Sequence, residues 1–221
     1  MGDAAAVQFG PQLLPCAVDL PRALRYLGQR REGLPEHLGQ RLQEAADQCA
    51  SAARPRGVGR AYPLLWGGPG RPVELAGTGV ALPGADIARF LEGCTHAVVL
   101  AVTLGMESER QLARAQALSP LEGLLADGCA SSMAEEAARA ASAEIERRAR
   151  VAGFRPTKRF SAGYGDLPLQ LQPDMLRLSG GDKLLGIHVG PSLLMTPMKS
   201  VTAVVGLAPL AGPKARDTER R

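Results

Sequence analysis

The chain has 221 residues, 45% of them hydrophobic and 22% charged, which is enough apolar material for one large core or two smaller ones. Its net charge of +4 is not gathered into one basic stripe, which argues against a nucleic-acid partner. The longest apolar run, Ala97 to Val102, is far too short to span a bilayer, and Met1 to Gly10 lacks the basic-then-apolar pattern of a secretory signal, so no membrane association is expected.

Residues 1–15 carry no clear pattern and are expected to be disordered. Asp19-Leu20-Pro21 predicts a helix start, with Asp19 as the cap and Pro21 in the first turn, and Gly28 predicts its end. Leu34-Pro35-Glu36 opens a second helix, whose apolar positions recur every three or four residues to about Ala53. Arg54-Pro55-Arg56 breaks it. A strand is predicted over 58–65, a turn over 66–70 and a short strand over 73–75. A short helix follows Pro83-Gly84-Ala85-Asp86. The β-branched run of 97–103 reads as a central strand.

A helix is predicted over 107–117. Ser119-Pro120-Leu121-Glu122 then signals a second start: a Ser cap, Pro first, Glu third. That helix is expected to reach Arg150, where about 30 residues would span roughly 45 Å. Leu121, Leu125, Cys129, Met133, Ala137, Ala141 and Ile145 form an i+4 stripe suited to a core contact. Beyond Gly153, a helix is predicted over 173–178 and strands over 185–189, 193–195 and 201–207. Residues 211–221 are charged and aperiodic, and are expected to be a disordered tail. Long helices that segregate from strands predict an α+β fold with a mixed or mainly antiparallel sheet, as one domain over 16–210.

The cysteines Cys16, Cys49, Cys94 and Cys129 are widely spaced without a C-x-x-C, so neither a zinc site nor a disulfide framework is expected. They read as buried thiols in a reduced, cytoplasmic protein. The three histidines, His37, His96 and His188, lack metal-ligand spacing. The glycine clusters at 67–70 and 77–79 lack a following Lys-Ser or Lys-Thr, so they are not phosphate loops, and no G-x-S-x-G elbow is present.

The stretch Arg159-Phe160-Ser161-Ala162-Gly163-Tyr164-Gly165-Asp166 concentrates a guanidinium, two glycines, an aromatic ring and an acid. Arg159 offers a rigid fork of donors for a carboxylate or phosphate, and the glycines permit a sharp turn or close approach to a ligand. An ordinary polar connection is the alternative.

In the form R-F-S-A-G-Y-G-D-L-P, this stretch resembles the S-adenosylmethionine loop of the reactivation domain of cobalamin-dependent methionine synthase, in its free-standing form. A second stretch, Leu193 to Val201 with Met195, Pro197, Ser200 and Val201, is similar to the family's methionine–proline–serine–valine segment before its last core strand. The resemblance implies a single curved domain with a twisted central sheet flanked by long helices. It also implies that the chain is the reactivation subunit of a split enzyme. In that reading S-adenosylmethionine and one electron restore oxidised cobalamin held by a partner, the methionine synthase core or another cobalamin-binding protein. A flavodoxin- or ferredoxin-type protein is an expected reductant. A non-catalytic S-adenosylmethionine-binding or corrinoid-docking module, and a reactivator of another corrinoid methyltransferase, are the alternatives.

By the resemblance, Arg159 holds the ligand carboxylate, the backbone from Ser161 to Gly163 meets the adenine or ribose, and Tyr164 packs beside the ligand. Asp19 is the candidate for the ammonium group, with a plain helix cap as its other reading, and Asp166 is a substitute. The family's long helix carries a glutamate that aligns with Ser131 here, so that acid is expected to be missing.

Overall fold

The computed structural model describes residues 2–29, 34–68 and 70–210. The expected tail over 211–221 lies outside them. In chain order the first elements are β1 (Phe9–Leu13), α1 (Leu20–Tyr26), α2 (Glu36–Ala52), β2 (Arg56–Trp66), β3 (Val73–Leu75), β4 (Val80–Leu82) and α3 (Ala85–Phe90). Then come β5 (His96–Thr103), α4 (Met106–Leu118), α5 (Pro120–Val151) and β6 (Phe154–Pro156). The chain continues through α6 (Gln172–Ser179), α7 (Gly181–Leu185), β7 (His188–Val189), β8 (Met195–Thr196) and β9 (Ser200–Pro209).

The sheet runs β4-β3-β2-β5-β9-β6, with β1 also on β2, and every pairing in it is antiparallel. β5 is its centre: Leu100 stands opposite Gly59 of β2 and Ala203 of β9. A strand covered on both faces has no polar side to show, which is why this segment reads as an unbroken apolar run. Val98, Leu100 and Val102 join the core under α5, while Ala97 and Val99 join the opposite core with Ile87, Leu91 and Met175. The result is an α+β domain with an antiparallel sheet between two helical layers.

α5 forms where its start signal places it. The Ser119 hydroxyl accepts from the Glu122 amide at 3.1 Å, satisfying one of the donors that a helix start leaves open. Leu125, Cys129, Met133, Ala137, Ala141 and Ile145 are buried against the sheet and α2. Small side chains along this stripe let helix and sheet approach closely, so the site leaves little room for larger ones. An Ala137→Leu substitution would overpack it at a cost of about 1–3 kcal/mol.

Several local expectations are corrected. Residues 2–15 are not a disordered arm. A 3-10 turn at Ala4–Val7 precedes β1, whose Phe9 pairs with Gly59, and Val7 and Phe9 are buried. Alternation in so short a strand is too weak to see in sequence. The strand expected at 185–189 is shorter: Leu185 closes α7, the single turn bracketed by the left-handed Gly180 and Gly186, and only His188–Val189 forms β7. Leu193 belongs to the turn between β7 and β8 rather than to a strand.

Candidate functional site

α5 delivers the chain to β6 and then to the glycine-rich loop. Four steps along the chain, Pro156 to Phe160, match only three on β9, Leu207 to Val204, so one extra residue is taken up in the stretch that holds Arg159. Bulges re-aim side chains at sheet edges. Here the Arg159 guanidinium reaches Glu135 of α5, Nη2 to Oε1 at 2.7 Å. Asp127, Ser131 and Glu135 follow one another at four-residue spacing and share one face of α5. Lys199, from the second motif, donates from Nζ to Asp127 at 2.8 Å and to Ser131 at 2.9 Å. One row of α5 therefore anchors both motifs.

Ser131 itself carries no acid, and Glu135, one turn further along the same face of α5, places a carboxylate against Arg159.

Asp19 sits at the other end of the same ion-pair network. Its carboxylate caps α1 by accepting from the Arg22 amide at 3.0 Å. Its backbone amide and carbonyl both engage the Ser132 hydroxyl, at 3.0 and 2.8 Å, which pins the start of α1 to α5. Arg22, with a side chain only 9% exposed, lies 3.4 Å from Asp19, 3.1 Å from Glu136 and 3.9 Å from Glu135. The chain thus runs Asp19–Arg22–Glu135–Arg159, and it brings two of the predicted residues to one acidic and basic strip on α5.

Beyond Arg159 the loop turns sharply. Gly163 has φ +86°, a region that side chains with a Cβ disfavour. Its amide donates to the Leu167 carbonyl at 2.8 Å, and the Tyr164 amide donates to the Ser161 carbonyl at 3.2 Å. The turn leaves Tyr164 70% exposed. Ser161, Ala162 and Tyr164 form one wall of an open groove of about 290 Å³, and Leu193, Met195 and Met198 line it from the second motif. Leu193 is the one non-glycine residue at positive φ (63°) among the described residues, a conformation that commonly marks a functional turn.

The wall from the second motif is held firmly. The Met198 amide donates to Glu109 of α4, and the Ser200 hydroxyl donates to the Pro197 carbonyl at 2.7 Å and shares a hydrogen bond with the Thr103 hydroxyl at 2.8 Å. At the floor, the buried Gln172 receives a hydrogen bond from Thr202 on Oε1 at 3.2 Å and donates from Nε2 to the Met195 sulfur at 2.8 Å.

Asp166 is engaged elsewhere. Its carboxylate accepts from the amides of Ala85 and Asp86, the latter at 3.1 Å, and so caps α3 in place of a residue on that helix. It ties the end of the loop to the opposite layer.

The sequence motifs do not contain Arg22, Glu135 or Gln172. The i+4 row on α5 is the one sequence signal that points to Glu135. Nothing local marks the other two, because their roles depend on contacts 23 or more residues away in sequence. Among the described residues, no group of three or more His, Cys, Asp or Glu side chains is arranged to hold a metal ion.

Chemically, the α5 strip offers a guanidinium paired with an acid and a second buried guanidinium. The groove offers an exposed aromatic residue, an amide and two thioethers, and Arg159, Asp19 and Asp166 are not among its lining residues. The strip suits charged groups and the groove a flat or apolar body.

No family model matches the chain, and no curated protein is similar to it in sequence. Among solved structures it is similar to the MetH reactivation domain bound to AdoHcy. The TM-score is 0.63 at 17% identity, over 97% of this chain and 83% of that one. At this identity the likeness establishes a shared fold.

Proposed function

We propose that this chain binds S-adenosylmethionine in the groove between the Ser161–Tyr164 turn and the Leu193–Thr202 segment. In this reading it serves in trans as the reactivation subunit of a split cobalamin-dependent methionine synthase. The observation that carries the reading is the meeting of two motifs, about thirty residues apart in sequence, as facing walls of one groove. It occurs on a fold shared with a domain whose structure was solved with AdoHcy.

The types of residue near the groove support this reading. Arg159 supplies a bidentate donor for a carboxylate, and Glu135 and Asp19 supply charge for an ammonium group. Tyr164 supplies a ring that can pack on adenine or face a sulfonium cation. The bound molecule would bring an activated methyl group. The chain itself would bind it, fix its orientation at an open surface and exclude water, which is catalysis by positioning. The exposed side chains of Tyr164, Leu194 and Met198 leave that surface apolar and accessible to a cobalamin-carrying partner.

The test is a calorimetric titration with S-adenosylmethionine, followed by mixing with a methionine synthase core that lacks its own reactivation domain and has been oxidised. Restored turnover that requires the chain, S-adenosylmethionine and a flavodoxin- or ferredoxin-type reductant is the expected result. Binding without rescue would assign the chain to non-catalytic S-adenosylmethionine-binding modules. Rescue of a different corrinoid methyltransferase alone would change the partner.

A further inference from the structure

We propose that Gln172 reads the base of the nucleoside bound in the groove and selects adenine. The inference rests on the S-adenosylmethionine reading and deepens it. Gln172 is 4% exposed yet lines the groove wall. A buried amide needs strong partners on both ends, because leaving one unsatisfied is costly. Gln172 has a strong partner on one end only. The Thr202 hydroxyl donates to its Oε1 at 3.2 Å. Among the described residues its Nε2 meets only the thioether of Met195, a weak acceptor.

An amide held this way presents an N–H donor to the groove, with a second lone pair of Oε1 beside it. That donor–acceptor pair matches the edge of adenine, which carries an amino donor next to a ring-nitrogen acceptor. Hypoxanthine places a carbonyl where adenine has the amino group, so it would set oxygen against Oε1. Turning the amide over to accommodate it would set the amide oxygen against the Met195 sulfur, which has no proton to donate.

The experiment titrates adenosine and inosine separately into the full chain and into Gln172→Met and Gln172→Glu, alongside S-adenosylmethionine. Wild type should prefer adenosine by about 5- to 150-fold, the discrimination expected of one bidentate pair. Both variants should lose most of that preference while S-adenosylmethionine still binds, more weakly, through Arg159. In wild type, the side-chain amide resonance of Gln172 should shift on saturation with adenosine, a readout that holds even if a variant fails to fold. Retained discrimination in a folded variant, or an unmoved Gln172 resonance in wild type, overturns the assignment and leaves the S-adenosylmethionine reading intact. Failure of wild type to bind either S-adenosylmethionine or adenosine overturns both.

Discussion

The Arg159 guanidinium and the Glu135 carboxylate meet at 2.7 Å, joining the glycine-rich loop to the middle of α5. Glu135 is not dependent on this contact alone: Arg139 lies 3.5 Å away and Arg22 3.9 Å. The acid is therefore held in place whether or not Arg159 is engaged with it. That leaves the guanidinium of Arg159 able to trade an internal carboxylate for one on a ligand.

An Arg159→Ala substitution should accordingly cost little stability and much affinity. Two other cations stay near Glu135, so no buried charge is stranded. Loss of a charge-assisted bond to a ligand carboxylate should weaken S-adenosylmethionine binding by about 1.5–3 kcal/mol, roughly 10- to 150-fold. Arg155→Ala is the matched control, because Arg155 lies on β6 and lines a different depression with Ser142 and Lys158. Equal affinities for the two variants, measured by calorimetry, would move the carboxylate site away from Arg159.

A second prediction concerns acid stability. Hydrogen bonds from Arg147, and with them the neighbouring charge of Arg148, hold the Glu144 carboxyl at about 2, below its ordinary value of 4.5. A carboxyl whose folded pKa is depressed stabilises the fold above its unfolded pKa. That contribution is lost as pH falls through the folded value. The window is therefore from about 4.5 down to about 2. Arg148 also donates to the Gln8 carbonyl at 2.6 Å, so this pair secures the segment leading into β1. Thermal unfolding of Glu144→Gln across this range should fall less steeply with acidification than that of wild type. Parallel curves would show that Glu144 does not contribute.

Much of this fold is legible in sequence because its signals are local. The Ser119-Pro120 start, the i+4 stripe of α5 and the apolar run of β5 each depend on neighbours a few residues away. β1, β4 and β6 are three to five residues long, too short for alternation to register, and their existence depends on pairing with β2, β3 and β9. The candidate site divides in the same way. Arg159, Gly163 and Tyr164 stand in one contiguous motif. Arg22 and Gln172 acquire meaning only when α1 and α6 fold against distant partners. Asp166 shows the converse hazard: its place in a motif suggests a ligand contact, whereas its carboxylate caps α3.

The thiols give a third prediction. Burial pushes Cys16 and Cys49 up to about 11 and Cys129 up to about 12, and raises Cys94 as well. The thiolate is the reactive form, so little of it is present at neutral pH. Cys49, Cys94 and Cys129 are buried, and Cys16 is half-buried. With an aromatic disulfide reagent near pH 8, the native chain should release chromophore slowly and from Cys16 first. All four thiols should react promptly in denaturant. Fast labelling of Cys49 or Cys129 in the native chain would mean that α2 and α5 separate readily.

The last prediction separates what Tyr164 does from what Gly163 does. Tyr164 is 70% exposed, and its backbone rather than its side chain makes the turn's hydrogen bonds. Tyr164→Ala should therefore leave stability within about 0.5 kcal/mol of wild type, as for most surface substitutions. Gly163 instead holds the turn open at φ +86°, and an added Cβ would meet Leu169 Cδ1 at 3.4 Å. Gly163→Ala should cost roughly 1–2 kcal/mol in stability, the usual penalty for a left-handed residue bearing a Cβ. It should also shift Tyr164 relative to Met198 across the groove. Both variants should weaken S-adenosylmethionine, but by different routes: the first removes a contact surface, and the second misplaces one that is still present. Denaturant titrations paired with ligand titrations distinguish them. If Tyr164→Ala binds S-adenosylmethionine as wild type does, the ring takes no part in the site. The loop's contribution would then lie in its backbone and in Arg159.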